Sequence, residues 1–138
     1  MSETQQLTPH LMFQNGRAEE AMNHYVELFD GEVLTIDRYG PETPNMDGKV
    51  MLATFSIAGL RVNIMDSSIQ HEFDLTPAMS LFFNCVSQEQ LDQLWTALAD
   101  GGQALMPVDD YGFGPFGWVN DRYGVSWQLN YNPAAANN

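Results

Sequence analysis

The sequence predicts an α+β protein built from two successive βαβββ modules. Three observations predict it. Two amphipathic helical stretches, at Arg17–Phe29 and Glu89–Asp100, are each stopped by glycine. Each follows one short apolar run and precedes three more. Within those runs polar and apolar residues alternate with a period of two, the mark of half-buried strands.

In order, Leu7–Phe13 reads as a first strand, with Leu11 and Phe13 on one face and Thr8, His10 and Met12 on the other. Asn15 and Gly16 end it. Across Arg17–Phe29, Ala18, Ala21, Met22, Tyr25, Val26 and Phe29 form one stripe, and Gly31 closes the helix. Glu32–Tyr39 is a second strand, followed by the polar loop Gly40–Gly48. Val50–Ile57 and Leu60–Asp66 make a hairpin about Ala58-Gly59.

Ser67–Pro77 holds turn formers without a sustained period and is read as the connection between the modules. The pattern then restarts with a strand at Ala78–Val86. Ser87, with Gln90 three residues on, forms a capping box ahead of the second helix, whose stripe is Leu91, Leu94, Trp95 and Leu98; Gly101-Gly102 ends it. Gln103–Val108, Trp118–Asn120 and Val125–Asn130 are the remaining strands, the last two joined by the tight turn Asp121-Arg122-Tyr123-Gly124. Module one therefore spans about 7–66, the linker 67–77, module two 78–130 and a tail 131–138, within a single domain of 138 residues.

Strand parity assigns the side chains. One face of each sheet packs on its own helix, and the uncovered faces are expected to curve together around a cleft. Its predicted lining is His10 and Met12; Arg61, Asn63 and Met65; Ser80, Phe82 and Asn84; and Ser126, Gln128 and Asn130. Such a polar and aromatic lining suits a small-molecule site, the favoured reading, and is also what a solvent-exposed antiparallel sheet would show.

Eighteen acidic residues against five basic ones give a formal charge of −13, and the basic residues are scattered. That excludes nucleic acid and anionic membrane as expected partners. Cys85 is the single cysteine and lies in an apolar run, so it is read as a buried, inert thiol. MSETQQL lacks a charged region followed by an apolar one, and no stretch approaches a membrane span; a cytoplasmic protein is expected.

Among the chemistry-bearing residues, His10 is the candidate general base because its reference pKa lies near neutrality; a hydrogen-bonded histidine at a sheet edge is the plain reading. His24 and His71 are read as surface residues. Arg61 is the one cation on the predicted cleft face and would grip an anionic group. Asn63 and Gln128 would orient a ligand by hydrogen bonds, Phe82 would contact it, and Trp118 would stand near the mouth. Asp109–Trp118 interleaves glycines with aromatics, which suits either a mobile flap or a tightly packed loop. Gly112, Gly114 and Gly117 spell G-x-G-x-x-G, but Pro115 lies inside and a strand follows, so the dinucleotide reading fails. Glu19-Glu20 and Asp109-Asp110 read as surface charge.

Pro9-His10-Leu11-Met12-Phe13 with Gly16, Ala18-Glu19-Glu20-Ala21-Met22 with Tyr25, and Leu28-Phe29 with Gly31 resemble the vicinal oxygen chelate superfamily, also called the glyoxalase/bleomycin-resistance fold. So do Trp95, Leu98, Gly101-Gly102, Asp110-Tyr111-Gly112, Gly117-Trp118 and Asp121–Leu129. Within the superfamily the chain resembles the PhnB-like, demethylubiquinone methyltransferase-like proteins. The resemblance implies paired βαβββ modules, a homodimer with the halves pairing either within one chain or across the dimer, and, in metal-using members, a divalent ion held by one residue from each of four strands. Those places fall on His10, Asn63 (or Met65), Ser80 and Gln128. Only His10 suits a transition ion, so no metal and no cofactor are expected.

The expected function is that of a PhnB-like superfamily protein binding a small organic ligand, anionic or aromatic, in its cleft without metal. Two alternatives stand. One is a metal-dependent lyase, isomerase or dioxygenase whose ligands include Glu72 or Asp66; the other is a protein that sequesters a drug or metabolite without turnover.

Overall fold

The computed structural model describes residues 5–133; the tail from 134 and the first four residues lie outside them. The chain divides into two compact units between Leu75 and Thr76. No helix among the described residues is long and apolar enough to cross a membrane.

Module one runs β1 (His10–Phe13), α1 (Ala18–Leu28), β2 (Glu32–Arg38), β3 (Val50–Ile57) and β4 (Leu60–Asp66). Its four strands lie in the order β1-β4-β3-β2, with β1 parallel to β4 and the other pairs antiparallel. The β3–β4 turn is the predicted two-residue one: Ala58 and Gly59 both take positive φ, 49° and 81°, the combination that matches strand twist. Helix α1 buries Ala18, Ala21, Met22 and Tyr25 together with Phe55, Val62 and Ile64 of the sheet.

The ends of α1 are held in ways the sequence does not signal. No side chain of Asn15–Arg17 caps the first turn; instead the Asp66 carboxylate, arriving from the end of β4, accepts from the Ala18 amide at 3.0 Å and from the Val50 amide at 3.2 Å. At the other end the left-handed residue is Asp30 (φ 52°), and Gly31 is needed for another reason: a Cβ there would collide with the Ser56 carbonyl oxygen. The first part of the predicted linker belongs to module one. Gln14, just past β1, donates to the Phe73 carbonyl at 2.7 Å and accepts from Gln70 at 3.2 Å, drawing the segment back along the sheet end.

Module two repeats the plan with β5 (Leu81–Asn84), α2 (Gln88–Ala99), β6 (Gln103–Asp110), β7 (Pro115–Asn120) and β8 (Ser126–Asn130). The order is β5-β8-β7-β6, again with the first pair parallel. Ser87 caps α2 through its hydroxyl, bonded by the Gln90 amide at 3.0 Å, while Gln90 reaches back one residue beyond the expected partner, to the Val86 amide at 2.8 Å. Leu91, Leu94 and Leu98 are buried with Val119, Trp127 and Leu129.

Several strand ends differ from expectation by a few residues. Leu7–Pro9 and Ala78–Ser80 precede their strands and do not join them. The segment read as a flap or loop, Asp109–Trp118, is mostly the β6–β7 hairpin; only Tyr111–Gly114 form its tip. Asp110 holds that tip by accepting from the Gly112 and Gly114 amides at 2.8 and 3.1 Å, and these two bonds keep its carboxyl below the usual aspartate value. Nor is Glu19 merely solvated. It takes two 2.8 Å hydrogen bonds from Arg38, which hold its carboxyl below the ordinary glutamate range.

Candidate functional site

In both modules the odd-even split along the strand beside the module's first one is the predicted one. In β4, Val62, Ile64 and Asp66 are buried, and Arg61, Asn63 and Met65 alternate with them; in β8, Trp127 and Leu129 are buried on the helix side and Gln128 and Asn130 face away. The two uncovered faces are built alike, but they carry different chemistry.

On module one, His10 stands opposite Asn63 across the parallel β1–β4 pair, and Asn63 stands opposite Thr54 across β3. The Thr54 hydroxyl donates to Asn63 Oδ1 at 2.8 Å, so that oxygen is already engaged. His10 is exposed, and its imidazole makes no hydrogen bond to another described residue. Arg61 sits one row away, level with Ser56. Gln5 fixes its backbone from both sides, through the Arg61 carbonyl at 3.0 Å and amide at 3.2 Å. Arg61 lines a depression of about 250 Å³ with Glu32, Leu34, Ser56 and Asp30. Of the other Lys and Arg side chains, Arg17 pairs with Glu20, Arg38 with Glu19, Lys49 reaches the Gly16 carbonyl at 3.5 Å, and Arg122 lies over Tyr123. His24 is half-buried, tilted against Tyr25, rather than on the surface as expected; half-buried His71 stacks on Phe73.

On module two, Phe82, Gln128 and Trp118 occupy one row across β5, β8 and β7. The next row holds Ser126 and Asn120, and Ser80 joins it by a 2.7 Å hydrogen bond between its hydroxyl and that of Ser126. Gln128 Nε2 donates to Ser80 Oγ at 3.2 Å, and the Trp118 indole donates to Ser126 Oγ at 2.8 Å. A four-residue network thus fixes the amide and the indole beside each other. Phe82 is 55% exposed, and its ring meets Phe116, which also contacts Tyr111 and Phe113 from the hairpin tip. Ser126, expected to face water or ligand, is buried at 2% exposure because Trp118 and Ser80 close over it.

The residues that position this face were only partly legible. Asp121, read as one member of a turn, is buried: its Oδ1 accepts from the Tyr123 and Val125 amides at 2.9 and 3.0 Å and its Oδ2 from the Trp127 indole at 2.9 Å. It locks the entry of β8 and hence which face Gln128 takes. An Asp at the start of a turn with Trp six residues on was the available signal. Asp66, considered as a metal ligand, spends its oxygens on two backbone amides on the buried side, and Glu72 is exposed. Cys85 is buried, and burial pushes its thiol up to about 11, as an inert cysteine requires.

The donor set does not fit a transition ion. Of the four places, only His10 offers an imidazole; Asn63 Oδ1 and the Ser80 hydroxyl are committed to neighbouring side chains. Among the described residues no three His, Cys, Asp or Glu side chains come together. Gly112, Gly114 and Gly117 lie in the β6–β7 hairpin, not between a strand and a helix, and Gly117 is there because Trp95 of α2 packs against it.

Residues 5–130 match the family described as 3-demethylubiquinone-9 3-methyltransferase. No curated protein matches the chain. Among solved structures, the chain is 46% identical to a PhnB protein from Bacillus cereus, with a TM-score of 0.88 over 92% of this chain and 99% of that one. It also shares its fold with a glyoxylase/bleomycin resistance protein/dioxygenase domain from Frankia (18% identity, TM-score 0.65, 95% and 93% covered). A fosfomycin resistance protein from Listeria monocytogenes, solved with manganese(II), does so too (17% identity, TM-score 0.63, 94% and 93% covered).

Proposed function

This chain belongs to the 3-demethylubiquinone-9 3-methyltransferase family of PhnB-like proteins, with the glyoxalase/bleomycin-resistance fold, and from that premise we propose that it binds a small organic molecule on an uncovered sheet face without a metal ion. The observation that carries the reading is the row Phe82–Gln128–Trp118, in which two aromatic rings flank a carboxamide whose nitrogen is already held by Ser80. Held amides and rings cost a ligand little ordering on binding, and they give orientation without proton transfer. On module one, taken by itself, Arg61 supplies a guanidinium with no ion pair among the described residues for an anionic group, and exposed His10 an imidazole. A metal has no comparable support, since three of the four superfamily positions carry amide or hydroxyl groups. Methyl transfer is not part of the reading either, because neither module holds a glycine loop between a strand and a helix that would seat a nucleoside cofactor. The protein acts as a cytoplasmic homodimer in this account, supported by the family's architecture and an acidic, scattered-cation surface.

The test is a thermal-shift panel of small organic acids and aromatics on the intact protein, followed by a search for product. A ligand that binds only the native state raises the melting temperature. Phe82→Ala and Gln128→Ala should abolish the shift while leaving the unliganded melting temperature near its starting value. Stoichiometric metal in protein purified without chelator, lost on His10→Ala, would overturn the metal-free account.

A further inference from the structure

The hydroxyl protons of module two decide what kind of group its face takes. Ser126 Oγ accepts from the Trp118 indole and Ser80 Oγ from the Gln128 amide, and one further proton bridges the two oxygens at 2.7 Å. Two orientations are available. If Ser80 donated, the Ser126 proton would be left on a side chain 2% exposed that makes no hydrogen bond to any other acceptor among the described residues, the Asn120 Oδ1 opposite it included, a costly buried orphan. If Ser126 donates, every buried proton is satisfied and the proton left over is that of half-buried Ser80, on the uncovered face. Gln128 Oε1, beside it, is an acceptor with no hydrogen-bond partner among the described residues. Asn120 Oδ1, in the Ser126 row, is a second one, buried and without a partner among those residues.

We infer that this face selects an uncharged planar ring carrying an acceptor and an adjacent N–H donor, the edge of a lactam or ring carboxamide, with the acceptor on the Ser80 hydroxyl and the N–H on Gln128 Oε1. Phe82 and Trp118 supply the flanking rings. No cation stands in this row or in the Ser126 row, and Arg122, the one basic residue of module two, is engaged with Tyr123 and the Asp100 carbonyl. An anion placed here would lose its water without gaining a countercharge. The inference rests on the binding reading above and sharpens it to one ligand chemistry.

Four single compounds of matched size separate the possibilities: 2-quinolone, its N-methyl derivative, quinoline-2-carboxylate and naphthalene. Binding to the intact protein is followed by tryptophan fluorescence and melting temperature. The expected order puts 2-quinolone first. N-methylation or Ser80→Ala should each weaken it about tenfold, the worth of roughly one hydrogen bond, with naphthalene indifferent to Ser80→Ala. Equal affinity for 2-quinolone and its N-methyl derivative overturns the inference. So does tighter binding of the carboxylate that is lost in Arg61→Ala and kept in Ser80→Ala, a result that leaves the broader binding reading intact. Silence from these four and from the broad panel overturns both.

Discussion

Replacing Asp121 by Asn tests whether one carboxylate sets the register of β8. The native oxygens receive three N–H groups, two backbone amides on Oδ1 and the Trp127 indole on Oδ2, all at 2.9–3.0 Å. An asparagine can keep its oxygen toward the two amides only by turning its NH2 group toward the indole. Donor then faces donor at a site about 4% exposed, where water does not intervene. A lost charge-assisted bond plus an orphaned buried donor is worth roughly 2–4 kcal/mol. Asp121→Ala orphans all three donors and should cost more, about 4–5 kcal/mol, a large fraction of a domain's stability. Trp127→Phe removes the indole proton together with part of a buried ring, and the cycle subtracts that packing loss because it recurs in the double variant. If the bond is what matters, the double variant Asp121→Asn/Trp127→Phe loses less than the sum of the two single changes, by on the order of 1–2 kcal/mol. Guanidinium unfolding of the intact chain, followed by far-ultraviolet circular dichroism, measures all four corners of the cycle. Costs that add to within about 0.5 kcal/mol would refute the reasoning, for they would mean that Trp127 and Asp121 stabilise β8 independently.

Three further outcomes follow from the same geometry. Asp66→Ala should destabilise module one by roughly 2–4 kcal/mol, because it leaves the Ala18 and Val50 amides without their acceptor; loss of amide hydrogen-exchange protection in the first turn of α1 is the check, and unchanged protection would refute it. Gly117→Ala would bring a methyl group to 2.6 Å from the Trp95 ring and 2.8 Å from Val108, overpacking the α2–β7 contact at about 1–3 kcal/mol; an equal or higher melting temperature would show that the ring gives way. Cys85 should resist a disulfide reagent at pH 8 in the native state and react on unfolding. Since burial raises its folded pKa to about 11 from 9.0, the unfolded chain sheds the proton first, and the thiol's contribution is present below pH 9 and lost as pH rises toward 11. Native-state labelling at the unfolded rate would sink this.

The family shows in the chain's order of elements, and that order was readable because each element depends on neighbours in sequence. Leu91, Leu94 and Leu98 recur at helical spacing, Ser87 caps its own helix, and Ala58-Gly59 closes its own hairpin. Strand parity likewise assigned Asn63 and Gln128 to faces turned from their helices, because a period of two needs no knowledge of the fold. Where the partner lay far along the chain, reading by neighbours failed. The cap of α1 comes from Asp66, 48 residues on, and no local pattern names it.

What the amino-acid order determined by itself was therefore the two βαβββ modules, their helix stripes, and which side chains share a face. Only the tertiary structure decided which of those side chains are already spent. Asn63 Oδ1 accepts from the Thr54 hydroxyl, Ser126 is sealed beneath Trp118, and Gln128 Nε2 is taken up by Ser80. Periodicity is a property of the backbone and travels with the sequence, whereas a hydrogen bond belongs to two groups that meet only once the strands are laid side by side.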